Sequence, residues 1–108
     1  MDTRVTLTAH RGWRSKYPEN TMLSFRKALE LDIDGIEMDV HMTGDYHIVV
    51  CHDATLDRTT DSTGMISRMT LEEVRKADAG IRFGEEFKGE KVPTFEEFLE
   101  WKKNRNQA

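Results

Sequence analysis

Two acidic residues, Glu37 and Asp39, lie two positions apart in the run 36–40, where apolar and polar residues alternate. This alternation predicts a β-strand with one solvated face, so both carboxylates should project from the same side. Two such carboxylates can bind a hard cation, Mg²⁺ or Ca²⁺, with water or phosphate oxygens completing the coordination shell. The same pattern is also common on a solvated strand face that binds nothing. The pair therefore needs support from other residues.

Two histidines give that support, because each follows a run of residues that predicts a strand. His10 follows the alternating run 5–9, and His52 follows the apolar run 48–51. Arg11 carries a planar guanidinium that can bind two oxygens of a phosphate group. A histidine beside an arginine is more often a surface pair. The equivalent positions of the two imidazoles nevertheless indicate an anion-binding acid–base site.

The element between the first two predicted strands indicates how these residues meet. Apolar residues at helical spacing between positions 22 and 29 predict a helix, and a strand, helix and strand in succession favour a parallel sheet. In parallel α/β folds, the carboxyl ends of the strands open onto one crevice. If the three predicted strands are parallel neighbours, two imidazoles flank a cation held by two carboxylates. In-line phosphoryl transfer with a separate base and acid requires such an arrangement.

The remaining polar candidates are expected to be structural or solvated. Cys51 should point away from His52, because adjacent strand residues face opposite sides, and this favours a packed thiol. We expect His41 and His47 to be solvated, Asn20 to cap a helix, and the role of Glu19 stays open. Arg14 and Lys16 are expected to be solvated loop charges, with added positive potential near the phosphate as the alternative.

Two further helix starts are encoded in the second half of the chain. Thr70 with Glu73 and Thr94 with Glu97 have the spacing of capping boxes. The segment 79–92, rich in Gly, Lys and Glu, is expected to lie outside the main architecture. An apolar stripe is predicted on the last helix, formed by Phe95, Phe98 and Leu99.

Composition restricts the class of protein. The 108 residues suffice for one domain, and a formal net charge of -4 argues against a general nucleic-acid binder. No apolar run is long enough to span a membrane, and no secretion signal is recognised at the N-terminus. The single cysteine allows no internal disulfide. These features predict a soluble protein of the cytoplasm, without a membrane span or a nucleic-acid partner.

Six short motifs, taken in order, resemble those of the glycerophosphodiester phosphodiesterases. They span nearly the whole chain, and their shared order and spacing are far more specific than any one of them. The motifs are His10-Arg11-Gly12, Pro18-Glu19-Asn20-Thr21, Glu37-Met38-Asp39-Val40, His52-Asp53, Leu56-Asp57-Arg58-Thr59-Thr60 and Pro93-Thr94-Phe95-Glu96-Glu97.

The resemblance implies an α/β fold, the N-terminal part of a TIM (β/α)8 barrel, in which residues 1–108 form a partial domain. It implies two βα units, with the family insertion after the second strand at residues 54–92. The implied reaction is metal-dependent hydrolysis of glycerophosphodiesters to glycerol 3-phosphate and an alcohol. In this sequence the implied general base is His10, the general acid and a substrate contact is His52, the phosphate contact is Arg11, and the ligands of Ca²⁺ or Mg²⁺ are Glu37 and Asp39.

The family also supplies a third metal-binding glutamate and a phosphate-binding lysine from a further strand, and this chain stops before it. We therefore expect a fragment of a longer enzyme, completed by the rest of the barrel or by a partner chain. Two alternatives stay open at this point. One is a phospholipase D-like activity on lysophospholipids or sphingomyelin, and the other is a binding or assembly fragment with an incomplete site.

Overall fold

The computed structural model describes residues 7–31 and 33–106. Within them the order of elements is β1 (Thr8–His10), α1 (Met22–Ala28), β2 (Gly35–Glu37), β3 (Val40–Met42), β4 (Ile48–Val50), α2 (Leu71–Arg75) and α3 (Phe95–Asn106), with short 3-10 turns at Ile66–Arg68 and Glu85–Phe87. The first strand had been predicted at residues 5–9, and residues 5 and 6 lie outside the described part.

Strands β1 and β2 pair in parallel, and helix α1 connects them. His10 lies opposite Glu37 in this pairing. The helix begins at Thr21, whose hydroxyl accepts a hydrogen bond from the backbone N–H of Ser24, and it buries Phe25 completely. The predicted βαβ unit and its parallel pairing are therefore confirmed.

The third predicted strand, β4, runs in a different direction from the one expected. It pairs antiparallel with β3, in a two-stranded sheet separate from β1 and β2. The turn between β3 and β4 is closed by Thr43, whose hydroxyl donates to Asp45 and accepts from the backbone N–H of His47. The expectation of three parallel neighbours was wrong, because residues 40–50 form a hairpin whose short turn allows only antiparallel pairing.

The strand predicted at residues 36–40 is also interrupted. Strand β2 ends at Glu37 and β3 begins at Val40, so Met38 and Asp39 form a break between the two sheets. The carbonyl of Asp39 accepts a hydrogen bond of 2.9 Å from the backbone N–H of Cys51 instead of continuing a ladder with β1. Strand alternation therefore does not decide which way the Asp39 side chain points.

Two apolar clusters form the core. In one, Phe25 of α1 contacts Phe98 of α3 edge to face at 5.3 Å between ring centroids, together with Val50. The other is built around Val49, mainly by residues of the segment 54–92, namely Leu56, Ile66, Val74, Ala77, Ala79 and Val92. Much of this segment therefore packs into the core. On α3, Phe98 is buried as predicted, but Leu99 is 48% exposed.

The two predicted helix starts are present. Thr70 and Glu73 form both hydrogen bonds of a capping box at the start of α2. At the start of α3, Thr94 accepts a hydrogen bond from the backbone N–H of Glu97, while the Glu97 side chain binds Arg75 at 3.0 Å. Among the residues described, no helix has the length and apolar character needed to cross a lipid bilayer.

Candidate active site

The first histidine of the site is paired with a carboxylate across the parallel strands. His10 Nε2 lies 3.2 Å from Glu37 Oε1, and both side chains are close to half exposed. The pairing follows from register, because His10 and Glu37 are opposite one another at the carboxyl ends of β1 and β2. An imidazole and a carboxylate are thus placed together at the edge where the parallel strands end.

Arg11 occupies the position immediately after β1 and holds the next carboxylates. Its side chain is 14% exposed, with Nη1 at 3.3 Å from Glu19 Oε2 and Nε at 3.6 Å from Asp39 Oδ2. The second distance suits an ion pair but is too long for a hydrogen bond, so the buried Nε–H is left without a hydrogen-bond acceptor. This planar cation lies between two acids and keeps a donor available.

The backbone around Arg11 is held in an unusual conformation. Arg11 has a φ of 59° and Asn20 a φ of 53°, both in the left-handed region that residues other than glycine rarely adopt. The two residues are tied together by a hydrogen bond of 2.9 Å from the backbone N–H of Asn20 to the carbonyl of Arg11. Strain of this kind is commonly retained at functional sites. It fixes the direction in which the guanidinium leaves the chain.

Asn20 contacts the acid pair instead of capping the helix. Its Nδ2 donates to Asp39 Oδ2 at 3.3 Å, and the residue is 4% exposed. Its Oδ1 is buried without a hydrogen-bond donor. The expected helix cap is wrong for this residue, because Thr21 occupies the N-cap position. A carbonyl oxygen with no donor, next to a carboxylate, is suited to bind a cation or a water molecule.

The second histidine has its own carboxylate partner. His52 Nδ1 lies 2.7 Å from Asp53 Oδ1, and Arg58 donates to both Asp53 oxygens at 2.9 and 3.1 Å. The hydrogen bonds from Arg58 and His52 lower the pKa of Asp53 to about 2. An ionised Asp53 accepts a hydrogen bond from Nδ1–H, so Nε2 is the nitrogen of His52 left for proton transfer.

Glu19 connects the two halves of the site. Its carboxylate accepts two hydrogen bonds from Arg58, at 3.0 and 2.9 Å, and also binds Arg11. Partial burial alone would raise the pKa of Glu19, but the hydrogen bonds and charge of Arg58, with the charge of Arg11, outweigh it and leave the pKa below its usual value. An alternating series of charges therefore runs from Asp39 through Arg11, Glu19 and Arg58 to Asp53.

Two hydrogen bonds fix the backbone on either side of the Cys51–His52 peptide. The backbone N–H of Cys51 binds the carbonyl of Asp39, which fixes His52 one residue further along. His41 Nε2 lies 3.0 Å from the carbonyl of His52, so His41 holds this segment instead of being free in solvent. Cys51 is buried and His47 is exposed, as predicted.

The side chains of Glu37 and Asp39 are the candidate ligands of a metal ion. In the chain outside positions 1–6, 32, 107 and 108, no group of three His, Cys, Asp or Glu side chains is arranged to hold one. Glu37 and Asp39 supply two carboxylates, and Glu37 also contacts His10. Asn20, which donates to Asp39, has a buried Oδ1 without a hydrogen-bond donor. Carboxylate and amide oxygens are the ligand type that a hard cation takes, with water and substrate supplying the rest.

Sequence reasoning gave no role to Asp53 and Arg58 and left that of Glu19 open. The adjacency of Asp53 to His52 was a local signal for a carboxylate–imidazole pair. The pair between Glu19 and Arg58 spans 39 positions, so no short motif indicates it.

Comparison with known proteins identifies the class of protein that has this fold and site. A sequence profile of the glycerophosphoryl diester phosphodiesterase family matches residues 10–108. A glycerophosphodiester phosphodiesterase of Caldanaerobacter subterraneus is 52% identical over 90% of this chain and 40% of its own length. The human glycerophosphodiester phosphodiesterase 1 is 41% identical over 87% of this chain and 29% of its own length.

Solved structures agree with the sequence comparison. The glycerophosphodiester phosphodiesterase of Agrobacterium tumefaciens matches with a TM-score of 0.90 and 39% identity, over 94% of this chain and 44% of that protein. A phosphodiesterase of Oleispira antarctica, solved with the product sn-glycerol-3-phosphate, matches with a TM-score of 0.85 and 40% identity, over 89% of this chain and 39% of that protein.

The chain belongs to the glycerophosphoryl diester phosphodiesterase family. Its α/β fold corresponds to the N-terminal part of the family's TIM barrel, as the sequence predicted. The chain spans about two fifths of the length of the curated relatives that it matches first. The assignment of residues 54–92 as the family insertion stays a prediction.

Proposed function

We propose that the protein hydrolyses glycerophosphodiesters to glycerol 3-phosphate and an alcohol in a reaction that depends on a divalent cation, Ca²⁺ or Mg²⁺. The observation that carries the proposal is the pair of imidazoles, His10 and His52, each bound to its own carboxylate, Glu37 and Asp53. Arg11 binds Glu19, and Glu19 binds Arg58, the second partner of Asp53. Membership of the family supports the reaction type. The arrangement supplies two separate proton carriers and a cation for one phosphate group.

In the proposed mechanism, Arg11 binds the phosphate through the guanidinium that already lies between Glu19 and Asp39. His10 acts as general base and takes the proton of the water molecule that attacks phosphorus. His52 acts as general acid and gives a proton from Nε2 to the oxygen of the departing alcohol, while Asp53 keeps the proton on Nδ1. One water is consumed and one phosphorus–oxygen ester bond is broken.

The proposed cation ligands are Glu37 and Asp39. A cation bound there would supply positive charge that stabilises the negative oxygens of the phosphate as the bond breaks. Asn20 orients Asp39 through its amide, and His10 Nε2 lies 3.2 Å from Glu37 Oε1. The predicted third carboxylate and phosphate-binding lysine, from the rest of the barrel or a partner chain, remain predictions.

The same proposal includes a small-molecule substrate and a cytoplasmic location. A single free and buried cysteine requires no oxidising compartment.

The proposal is tested by measuring release of glycerol 3-phosphate from glycerophosphocholine and glycerophosphoethanolamine. We expect turnover by the wild-type protein and a loss of roughly 10²-fold or more in His10→Ala and His52→Ala, because each removes a positioned proton carrier. His47→Ala is the matched control, since His47 is an exposed histidine on the β3–β4 turn. Wild-type rates in either site variant would remove that histidine from the mechanism, and no release by the intact protein, with the rest of the barrel present, would refute the reaction.

A further inference from the structure

A cavity of about 410 Å³ opens beside the Glu19–Arg58 pair. Its wall includes Arg14, Glu19, Arg58, Arg82 and Phe83. A cavity of this size suits a small organic molecule. It lies between the loop after β1 and the segment 54–92, two parts of the chain that meet through the Glu19–Arg58 ion pair.

The cavity adjoins the proposed reaction centre. Glu19 lines the cavity and also binds Arg11, the proposed phosphate contact. Arg58 lines it too and binds Asp53, the partner of His52. Glu19 and Arg58 therefore form part of the cavity wall and also contact Arg11, the proposed phosphate contact, and Asp53, the partner of the proposed general acid.

The wall carries more positive than negative charge. Three arginines line it against one carboxylate, and Glu19 and Arg58 already satisfy each other. Arg82 is anchored because its Nε donates to the carbonyl of Thr60, which leaves its terminal nitrogens free within the described part of the chain. Arg14 is exposed and makes no ion pair with any described residue. The uncompensated charge therefore comes from Arg14 and Arg82.

We propose that this cavity receives the alcohol part of the phosphodiester and prefers an alcohol that carries a carboxylate or another anionic group. The inference rests on the proposed function and adds a substrate class to it. Arg14 and Arg82 bind the anionic group, since guanidinium groups donate strong hydrogen bonds to carboxylates and phosphates. Phe83, 46% exposed, offers an apolar surface to the carbon atoms of the alcohol.

The test compares glycerophosphoserine with glycerophosphoethanolamine, because serine and ethanolamine differ by one carboxylate. We expect kcat/KM to be about tenfold higher for glycerophosphoserine, as one charge-assisted hydrogen bond would give. Arg14→Gln and Arg82→Gln should each reduce this preference several-fold through KM. The measured quantity is the ratio of kcat/KM for the two diesters in each variant. Arg68→Gln is the control, because Arg68 is an exposed arginine outside the cavity.

A binding measurement separates this inference from the proposed reaction. Calorimetry with the His10→Ala variant measures the affinity for both diesters without turnover. Tighter binding of glycerophosphoserine that is lost in His10→Ala/Arg82→Gln supports the cavity assignment, even where the wild type releases no glycerol 3-phosphate. Equal affinities for the two diesters, or an unchanged preference in both arginine variants, would overturn the assignment and leave the proposed reaction standing.

Discussion

At the scale of single residues, Asp53 has two different partners at once. It accepts the hydrogen bond from His52 Nδ1 and two more from Arg58. Each of these contacts requires the ionised carboxylate, which is why its pKa falls to about 2. The same group thus fixes the tautomer of the proposed general acid and contributes to stability.

We predict a defined pH dependence for this contribution. Because folding lowers the pKa of Asp53, the stabilisation is fully present above the ordinary value of 3.8 and is lost as the pH falls towards about 2. Urea unfolding should show Asp53→Asn to be less stable than the wild type near neutral pH, with the difference shrinking between about pH 4 and about pH 2. Glu96→Gln, which changes an exposed acid on α3, should shift stability little throughout. A difference that persists undiminished at low pH would contradict the assignment.

At the scale of elements, the sequence predicted the parts that depend on local periodicity. The helix α1 and the parallel pair β1–β2 follow from apolar spacing and the connecting length, and the Thr70 capping box from four neighbouring residues. The apolar run that became β4 carried no information on strand direction, so the hairpin with β3 was missed.

Some contacts of the candidate site could be predicted from local sequence patterns, and others depend on how distant segments fold together. The register of β1 and β2 brings His10 to Glu37, as the strand ends suggested. His52 reaches the site through the backbone bond between Cys51 and Asp39, which depends on the break after β2. The Glu19–Arg58 pair depends on how the segment 54–92 folds back, and no local pattern specifies that.

Gly12 links element packing to the geometry of Arg11. Its φ is 81°, and a Cβ placed on it would lie 2.1 Å from Ser24 Oγ and 2.9 Å from Ser24 Cβ. We predict that Gly12→Ala lowers the free energy of unfolding by about 2 kcal/mol or more, because strain and overlap act together. It should also weaken phosphate binding, since α1 has to move away from the loop that carries Arg11.

Chemical denaturation and the KM for glycerophosphocholine measure these two effects. Gly89→Ala is the matched control, because Gly89 also has a positive φ, of 99°, but a Cβ there would meet nothing within 4 Å. It should lose stability through backbone strain alone and keep the wild-type KM. A Gly12→Ala protein as stable as the wild type would show that α1 does not constrain this loop.

At the scale of the whole molecule, a cation that binds only the folded state must raise its stability. We predict that Mg²⁺ or Ca²⁺ raises the melting temperature by several degrees, since a ligand at about 100 times its Kd adds about 2.7 kcal/mol. EDTA should reverse the shift and abolish turnover. Glu37→Gln should remove most of the shift, because it removes a proposed cation ligand. Glu37 is half exposed, so its replacement should leave the core intact.

Glu96→Gln serves as the control for removal of one negative charge. A melting temperature unaffected by both cations, together with turnover that survives EDTA, would refute the cation site. A full shift in Glu37→Gln would refute the assignment of this ligand alone.

Cys51 is the sole cysteine of the chain, it is buried, and burial raises the pKa of its thiol. Alkylation needs an ionised thiol that a reagent can reach, so a maleimide reacts only when this segment opens. The backbone N–H of the same residue makes the bond to Asp39. The rate of alkylation therefore reports how often the core around Cys51 opens, in the segment whose backbone also binds Asp39.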